Sequence, residues 1–250
     1  MTFAPDDWFA EEAFWIASYP FMFPDSRFEA AEHEVEKIIA LAQRTGGTVL
    51  DLACGPGRHA VVLAQRGFTV TGVDRSAFLL GKAQTRAKEL KQEIEWVHAD
   101  MRTIRRPAAF DLAISLFTSF GYFPDDADNQ RVLDNVAASL KSGGVFVLDM
   151  LGKEILARIF NPTASTESPD GLVIQRRTVT ADWSKMDNQW ILLHDNAART
   201  FRVSHWIYSG REIDWMLRRA GFDDVRVYGD LGGAVYGPEA KRLVVVGRKS

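Results

Sequence analysis

The stretch Thr48-Val-Leu-Asp-Leu-Ala-Cys-Gly-Pro-Gly-Arg-His59 decides the fold. Thr48 to Leu52 is a short β-branched and apolar run, the pattern of a buried strand. Gly55, Pro56 and Gly57 break it, and from His59 onward Ala-Val-Val-Leu-Ala64 reads as the start of a helix. Strand, glycine-rich turn and helix together bring backbone N–H groups up to a ligand. Glycine at 55 and 57 removes Cβ at the two points of closest approach. Asp51 adds a carboxylate at the strand's exit.

On the N-terminal side, Phe28 to Gln43 reads as a helix with Val35, Ile38, Ile39 and Ala42 on one face, stopped by Gly46-Gly47. Before it, residues 7–17 alternate acids with aromatics at helical spacing, and Pro20 and Pro24 punctuate the segment leading to Phe28. On the C-terminal side, Phe68 to Val73 is a second strand ending at Asp74, and Ser76 caps a helix running to about Leu90. Ile94 to His98 is a third strand, ending near Asp100, and Phe110 to Leu116 is a fourth. Asp126 to Leu140 is a helix with Lys141-Ser-Gly-Gly144 as its stop, and Val145 to Met150 is a fifth strand. Strands separated by helices imply βαβ units and a parallel sheet, whose ligand lies outside the carboxyl ends of the strands. Asp51, Asp74, Asp100 and Leu116–Phe117 all fall at those ends.

After residue 160 the pattern changes. Leu172 to Ala181, Gln189 to Asn196 and Arg199 to Ile207 alternate polar and apolar residues and read as antiparallel strands of an insertion. The α/β pattern then resumes: Ser209 caps Arg211 to Ala220, Gly221 stops that helix, and Val225 to Tyr228 and Leu243 to Gly247 are the last strands. The expected organisation is a single domain over 1–250. Residues 1–45 form a helical lid, 46–160 and 209–250 the α/β core, and 161–208 an antiparallel cover over the substrate.

With 250 residues, 46% hydrophobic and 25% charged, the chain is long enough to bury a full core and has ordinary globular composition. A net charge of −3 gives nothing to steer it to nucleic acid or to an anionic membrane. The acidic start, without Lys or Arg before Arg27, is unlike a secretory or mitochondrial leader, and no apolar run approaches a membrane span. Cys54 is the one cysteine, so no internal disulfide forms, which is compatible with a reducing cytoplasm. No HxxxH or HExxH spacing and no Cys/His cluster is present, so a metal site is not expected.

Gly55-Pro-Gly57-Arg-His-Ala60 satisfies G-x-G-x-x-A, the dinucleotide fingerprint. Asp51 argues against a dinucleotide, because a pyrophosphate on the turn would meet a carboxylate at short range. A cationic ligand is welcomed instead, and S-adenosylmethionine (SAM) carries an ammonium and a sulfonium and no phosphate. Asp74, at the second strand's end, suits the two ribose hydroxyls of either cofactor class, and Asp100 suits an adenine amino group.

Val49-Leu-Asp-Leu-Ala-Cys-Gly-Pro-Gly57, Val73-Asp74, Ala99-Asp100-Met-Arg102, Phe110-Asp111 and Leu140-Lys-Ser-Gly-Gly144 resemble the ordered motifs of class I SAM-dependent methyltransferases over about residues 46–150. Ala220-Gly-Phe222 and Leu243-Val-Val-Val-Gly-Arg-Lys249 resemble the same family's closing hairpin. The resemblance implies a Rossmann-like seven-stranded mixed sheet of order 3-2-1-4-5-7-6 with strand 7 antiparallel. Phe117-Thr-Ser-Phe-Gly-Tyr-Phe123 and the insertion resemble a bacterial small-molecule N-methyltransferase branch that includes amino-sugar and peptide N-terminal methyltransferases.

Carried over, Asp51, Cys54, Gly55 and Gly57 would line the methionine portion of SAM. Asp74 and Arg75 would flank the ribose, Asp100 and Met101 would hold the adenine, and Leu116 and Phe117 would cover it. Trp15 and Tyr19 are candidates for a lid. The implied reaction is in-line methyl transfer to a small molecule or peptide, on an amine, leaving S-adenosylhomocysteine.

Catalysis of such a displacement comes mainly from positioning in a dry, shaped site. Two catalytic candidates stand out. Tyr122 either walls the methyl path and orients the acceptor or is a core aromatic beside Phe120 and Phe123. His205 is either a base or substrate ligand at the mouth or a half-buried histidine of the insertion. Arg58 reads as solvated or salt-bridged, and His59 as solvated or capping. Rival functions are a nucleic-acid methyltransferase, an oxidoreductase and a SAM-binding protein without catalysis. The first lacks the (D/N/S)-P-P-(Y/F) pattern at the fourth strand, where Ser115-Leu-Phe-Thr-Ser-Phe stands. A monomer or homodimer in the cytoplasm is expected.

Overall fold

The computed structural model describes residues 6–194 and 197–250. A 3-10 turn, Trp8–Ala10, leads into α1 (Glu12–Met22) and α2 (Asp25–Ala42). The core then runs β1 (Thr48–Leu52), α3 (Arg58–Gln65), β2 (Thr69–Asp74), α4 (Ala77–Glu89), β3 (Glu95–His98), β4 (Phe110–Ser115), α5 (Asp126–Ser139) and β5 (Leu140–Met150). A short helix α6 (Lys153–Ile159) precedes the insertion strands β6 (Thr163–Ser168), β7 (Gly171–Val179), β8 (Lys185–His194) and β9 (Ala197–Trp206). α7 (Gly210–Ala220), β10 (Phe222–Tyr228) and β11 (Leu243–Lys249) close the chain.

Seven strands form one sheet in the order β10-β11-β5-β4-β1-β2-β3. Pairing is parallel from β3 through β5, and β11 runs antiparallel to both β5 and β10. Numbered within the core alone, this is 3-2-1-4-5-7-6 with strand 7 antiparallel, as expected. Apolar residues cover both faces, as a parallel sheet requires. Leu50, Leu52, Phe146 and Leu148 pack with α5 and α7, while Val49, Leu112, Val145 and Val147 pack with α2 and α3. The insertion is a separate four-stranded antiparallel sheet, β6-β7-β8-β9. Its Val173, Leu192, Phe201 and Val203 join the cluster that holds Trp8, Phe9 and Phe14, so the N-terminal aromatics are packed with the insertion.

The caps follow the sequence closely. Ser76 Oγ accepts from Leu79 N, and Ser209 forms a capping box with Glu212. Gly221 ends α7 at φ 101°.

Two expectations need correction, and two elements went unread. α2 is stopped by Gln43 at φ 53°, not by Gly46-Gly47. Lys141–Gly144 does not separate helix from strand: β5 starts at Leu140, and the register shifts from Phe110↔Leu140 to Leu112↔Val145, so the glycines make an irregularity inside the strand. β6 went unread because Thr163–Ser168 is polar throughout, and α6 because seven residues are too few for helical periodicity to show. Asn196, at the end of the expected strand Gln189–Asn196, and residues 1–5 of the acidic start lie outside the described residues.

Gly57 shows what the turn demands. It caps α3 at φ 74°, and a Cβ there would stand 2.9 Å from both Ala83 Cβ and Trp96 Cη2. Gly57→Ala is expected to lower stability by about 1–3 kcal/mol in urea denaturation, through backbone strain plus overpacking. Gly81→Ala, inside α4 with nothing within 4 Å, is expected to be neutral or to stabilise by up to ~1 kcal/mol.

Candidate active site

The carboxyl ends of β1, β2 and β4, the segment after β3 and the N-terminal aromatics enclose a cavity of about 420 Å³. Of the residues expected at the site, Trp15, Asp51, Cys54, Gly55, Asp74, Arg75, Asp100, Met101, Leu116, Phe117 and Tyr122 line it. Three do not. Gly57 faces Ala83 and Trp96, so it serves helix–strand packing. Tyr19 packs edge-on against Phe78 of α4, with Lys82 Nζ 5.3 Å from its ring. His205 lies beyond Tyr122, with the two rings 6.5 Å apart.

Asp51 is 3% exposed, and its Oδ2 has no hydrogen-bond partner. Burial, then the nearby Asp74 carboxylate, pushes its carboxyl up to about 7, against Arg58 and the Ala60 backbone. Asp74 is fixed from the backbone: Gly55 N donates to Oδ2 at 2.7 Å and Ser76 N to Oδ1 at 2.9 Å. Burial pushes its carboxyl up too, opposed by those same bonds. Asp100 is already engaged, accepting from Arg102 Nη2 at 2.7 Å and Arg75 Nη1 at 3.3 Å. Cys54 is a buried thiol pushed well above its ordinary value by burial and by Asp74 and Asp51, so it is no nucleophile.

The loop after β4 is held in a strained shape. Phe117 and Thr118 have φ 57° and 65°, two consecutive non-glycine residues in the left-handed region, at roughly 1–3 kcal/mol each. Asp149, 1% exposed at the end of β5, stabilises this turn. It accepts from Phe117 N at 2.9 Å and from Arg242 Nε at 2.7 Å. Arg58 and His59 are not solvated. Both are buried and donate to Glu34 Oε2, at 3.2 and 2.8 Å, tying α3 to α2. The Arg58 guanidinium lies 3.8 Å from the centroid of Phe117, and His59 stacks on the same ring at 5.5 Å. Burial pushes the His59 imidazole below its ordinary value, with the Glu34 hydrogen bond opposing.

The N-terminal segment is fastened over this floor. Glu12 accepts from Ser76 Oγ at 2.8 Å and Ala77 N at 2.6 Å, placing an anion at the N-terminus of α4. Trp8 Nε1 donates to Ser204 O of the insertion at 2.8 Å. Phe9, Phe21, Met22, Phe23 and Trp190 thereby complete the walls. These wall residues, with Arg58, Asp149 and Arg242, were missed from the sequence. Asp149 carried a readable signal, an acid at a strand end like Asp51 and Asp74. Arg242 and Trp190 carried none.

Residues 49–144 match a family described as a methyltransferase domain. With the strand order above, that decides the matter. The chain carries a class I SAM-dependent methyltransferase domain. Over 210 residues the chain is 28% identical to a Bacillus subtilis protein named as a methyltransferase, YqeM, covering 82% of this chain and 85% of that one. It is 26% identical to the cypemycin N-terminal methyltransferase of a Streptomyces species, over 80% and 82% of the two chains. Rat glycine N-methyltransferase is 32% identical over 50% of this chain, and the match spans only 47% of that protein. Among solved structures, a SAM-dependent methyltransferase from Clostridium acetobutylicum superposes with TM-score 0.79 at 16% identity, over 95% and 98% of the chains. The sugar N-methyltransferase KedS8 from Streptoalloteichus has TM-score 0.69 at 21% identity, over 92% and 90%. Within this methyltransferase domain, no described helix is long and apolar enough to cross a membrane.

Asp51 makes the domain's stability depend on pH. Its folded carboxyl titrates near 7 and its unfolded one near 3.8, so between these values only the folded state holds the proton. Its contribution therefore falls as pH rises from about 4 to about 7 and is level above that. Relative to Asp51→Asn, the ligand-free wild type is expected to lose stability over this range, on the order of 4 kcal/mol, read by denaturant unfolding at each pH.

Proposed function

We propose that the chain transfers a methyl group from SAM to an amine on a small molecule or peptide. The observation that carries this reading is the Asp51 carboxylate, buried inside the cavity with one oxygen unpartnered. A buried carboxyl with a free oxygen is costly unless a cation or donor meets it. The ammonium of SAM meets that need, and the charge it brings keeps Asp51 ionised. A dinucleotide would place a second negative charge against two acids.

When bound, SAM supplies a methyl group on a sulfonium, which an acceptor lone pair displaces in line while the S–C electron pair stays on sulfur. Asp51, Cys54 and Gly55 would hold the methionine end, and Asp74, fixed by two backbone donors, would take the ribose hydroxyls. Met101, Leu116 and the braced Phe117 would enclose the adenine, with Asp100, held by Arg102 and Arg75, available to its amino group. Phe9, Trp15, Trp190 and Tyr122 exclude water and leave room for an acceptor beside the reacting methyl. Tyr122 is the catalytic candidate retained. Burial raises its phenol above the ordinary value, so it remains a neutral hydrogen-bonding group that orients the acceptor. His205 is outside the cavity, and burial pushes it down to about 4, a poor value for a base at neutral pH. The names of the cypemycin, glycine and sugar N-methyltransferases support an amine as acceptor.

Calorimetric titration tests this. SAM is expected to bind wild type and to lose at least tenfold in affinity in Asp51→Asn and Asp74→Ala, with circular dichroism unchanged. At pH 6, binding to wild type is expected to release a proton, a release absent in Asp51→Asn. Binding of NAD with none of SAM would overturn the reading.

A further inference from the structure

The insertion sheet contributes to the wall of the cofactor cavity through Trp190 of β8. Trp190 meets Phe14 edge-on at 5.8 Å, and Phe201, its register partner on β9, meets the same ring at 5.5 Å. On its other side the register partner of Trp190 is Gln175 of β7, and Arg177 follows two residues later. Directly paired residues, and residues two apart on one strand, point to the same face of a sheet. Gln175 and Arg177 therefore share the face of Trp190. Arg177 Nη2 donates to Gln175 Oε1, which draws the guanidinium toward the Gln175–Trp190 pair.

Two donors on this face lack a charged or lone-pair partner. Trp8, Trp15 and Trp206 each donate Nε1–H to a backbone carbonyl, whereas Trp190 Nε1 is buried with no partner. A buried N–H left unpaired is costly, and a ligand oxygen in the cavity relieves that cost. Arg177 is half-buried, and among the described residues its guanidinium makes no ion pair. Burial pushes it below its ordinary value, and no carboxylate opposes the shift. Around the same cavity Arg58, Arg75 and Arg242 are each paired with an acid, so Arg177 stands apart from them. Directly opposite Arg177, Asn188 is 6% exposed and its Oδ1 has no partner either. A planar guanidinium beside an indole N–H is a donor pair that a carboxylate fits.

We propose that Arg177 and the Trp190 indole N–H bind a carboxylate borne by the methyl acceptor, so that the acceptor is an amine carrying an acid group and is held by that group on the insertion sheet. The proposal rests on the methyltransferase reading above and names the substrate class. Asp51, Cys54 and Gly55 belong to the core sheet and Trp190 to its cover, so the carboxylate site is on the acceptor's side of the cavity. The acid group is a handle separate from the reacting nitrogen. The amine enters as the free base, its proton left to solvent, and its lone pair stays available for the in-line step.

The test uses the full chain saturated with S-adenosylhomocysteine. The Trp190 indole N–H signal, assigned by Trp190→Phe, is followed by nuclear magnetic resonance during titration with benzoate, benzamide or benzylamine. Benzoate is expected to shift it, and Arg177→Gln is expected to raise the benzoate Kd roughly tenfold or more. Benzamide and benzylamine are expected to leave the signal in place at the same concentrations. Trp190→Phe keeps a ring and removes the N–H, and calorimetry is expected to show weaker benzoate binding to it; this variant decides the matter if Arg177→Gln does not fold. Equal response to benzamide or benzylamine, no response to benzoate, or unchanged benzoate affinity in the folded variants would each overturn the proposal. So would a tenfold loss of S-adenosylhomocysteine affinity in folded Arg177→Gln, which would assign the site to the cofactor's own carboxylate. Calorimetry with S-adenosylhomocysteine comes first. Failure there refutes the cofactor reading, and the benzoate titration of the ligand-free chain still decides the carboxylate site by the Trp190 signal.

Discussion

A carboxylate is kept out of water at the end of the central strand. Asp51 stands where β1 leaves the sheet, flanked by Asp74, with one oxygen unmatched by any donor. Two acids cannot share a buried site without one taking up a proton or a cation arriving. The surroundings of the pair are built around that conflict. Gly55 and Ser76 donate their backbone N–H groups to Asp74, and Arg58 is held close by Glu34 and Phe117 without reaching a direct bond to Asp51. The protein thereby stores a need for a cationic ligand at the one point where the helix N-terminus and the glycine turn also converge.

The same logic of committed and uncommitted charge organises the rest of the site. Arg58, Arg102 and Arg242 are each paired with an acid, at Glu34, Asp100 and Asp149. Those pairs commit their charge to holding loops. The Asp149–Arg242 pair fixes the backbone turn at Phe117 and Thr118, with Asp149 buried and Arg242 partly exposed. Asp51, by contrast, has no hydrogen-bonded cation among the described residues.

Legibility followed the range of the interactions. The strand ends Asp51, Asp74 and Asp100 could be read because short apolar runs and glycine turns are local, and a parallel sheet puts its ligand at carboxyl ends by geometry alone. Gly57 was assigned to the ligand although its face meets Ala83 and Trp96, because a turn glycine can be required either for approach or for packing, and the local sequence is the same in both cases. Tyr19 was placed on a lid facing the cofactor, but its helix turns that ring toward Phe78, a matter of helix rotation set by Glu12 gripping α4. His205 was read as reaching the active-site mouth, and the sheet places it behind Tyr122 instead.

The sequence by itself determined most of the strands, the capping residues and the acids at the strand ends, because each depends on neighbours a few residues apart, while the sheet order came only from the resemblance of the ordered motifs. It also placed a carboxylate, Asp51, at the turn itself, which is the local reason to expect a cation there rather than a pyrophosphate. Only the tertiary structure decided what closes the site. Trp190 comes from the insertion, Arg242 from just before the last strand and Phe9 from the N-terminal turn, and they line one cavity although long stretches of chain separate them. Side chains that meet this way are selected by shape and charge at the moment of packing, and no local pattern of residues records which of them will touch.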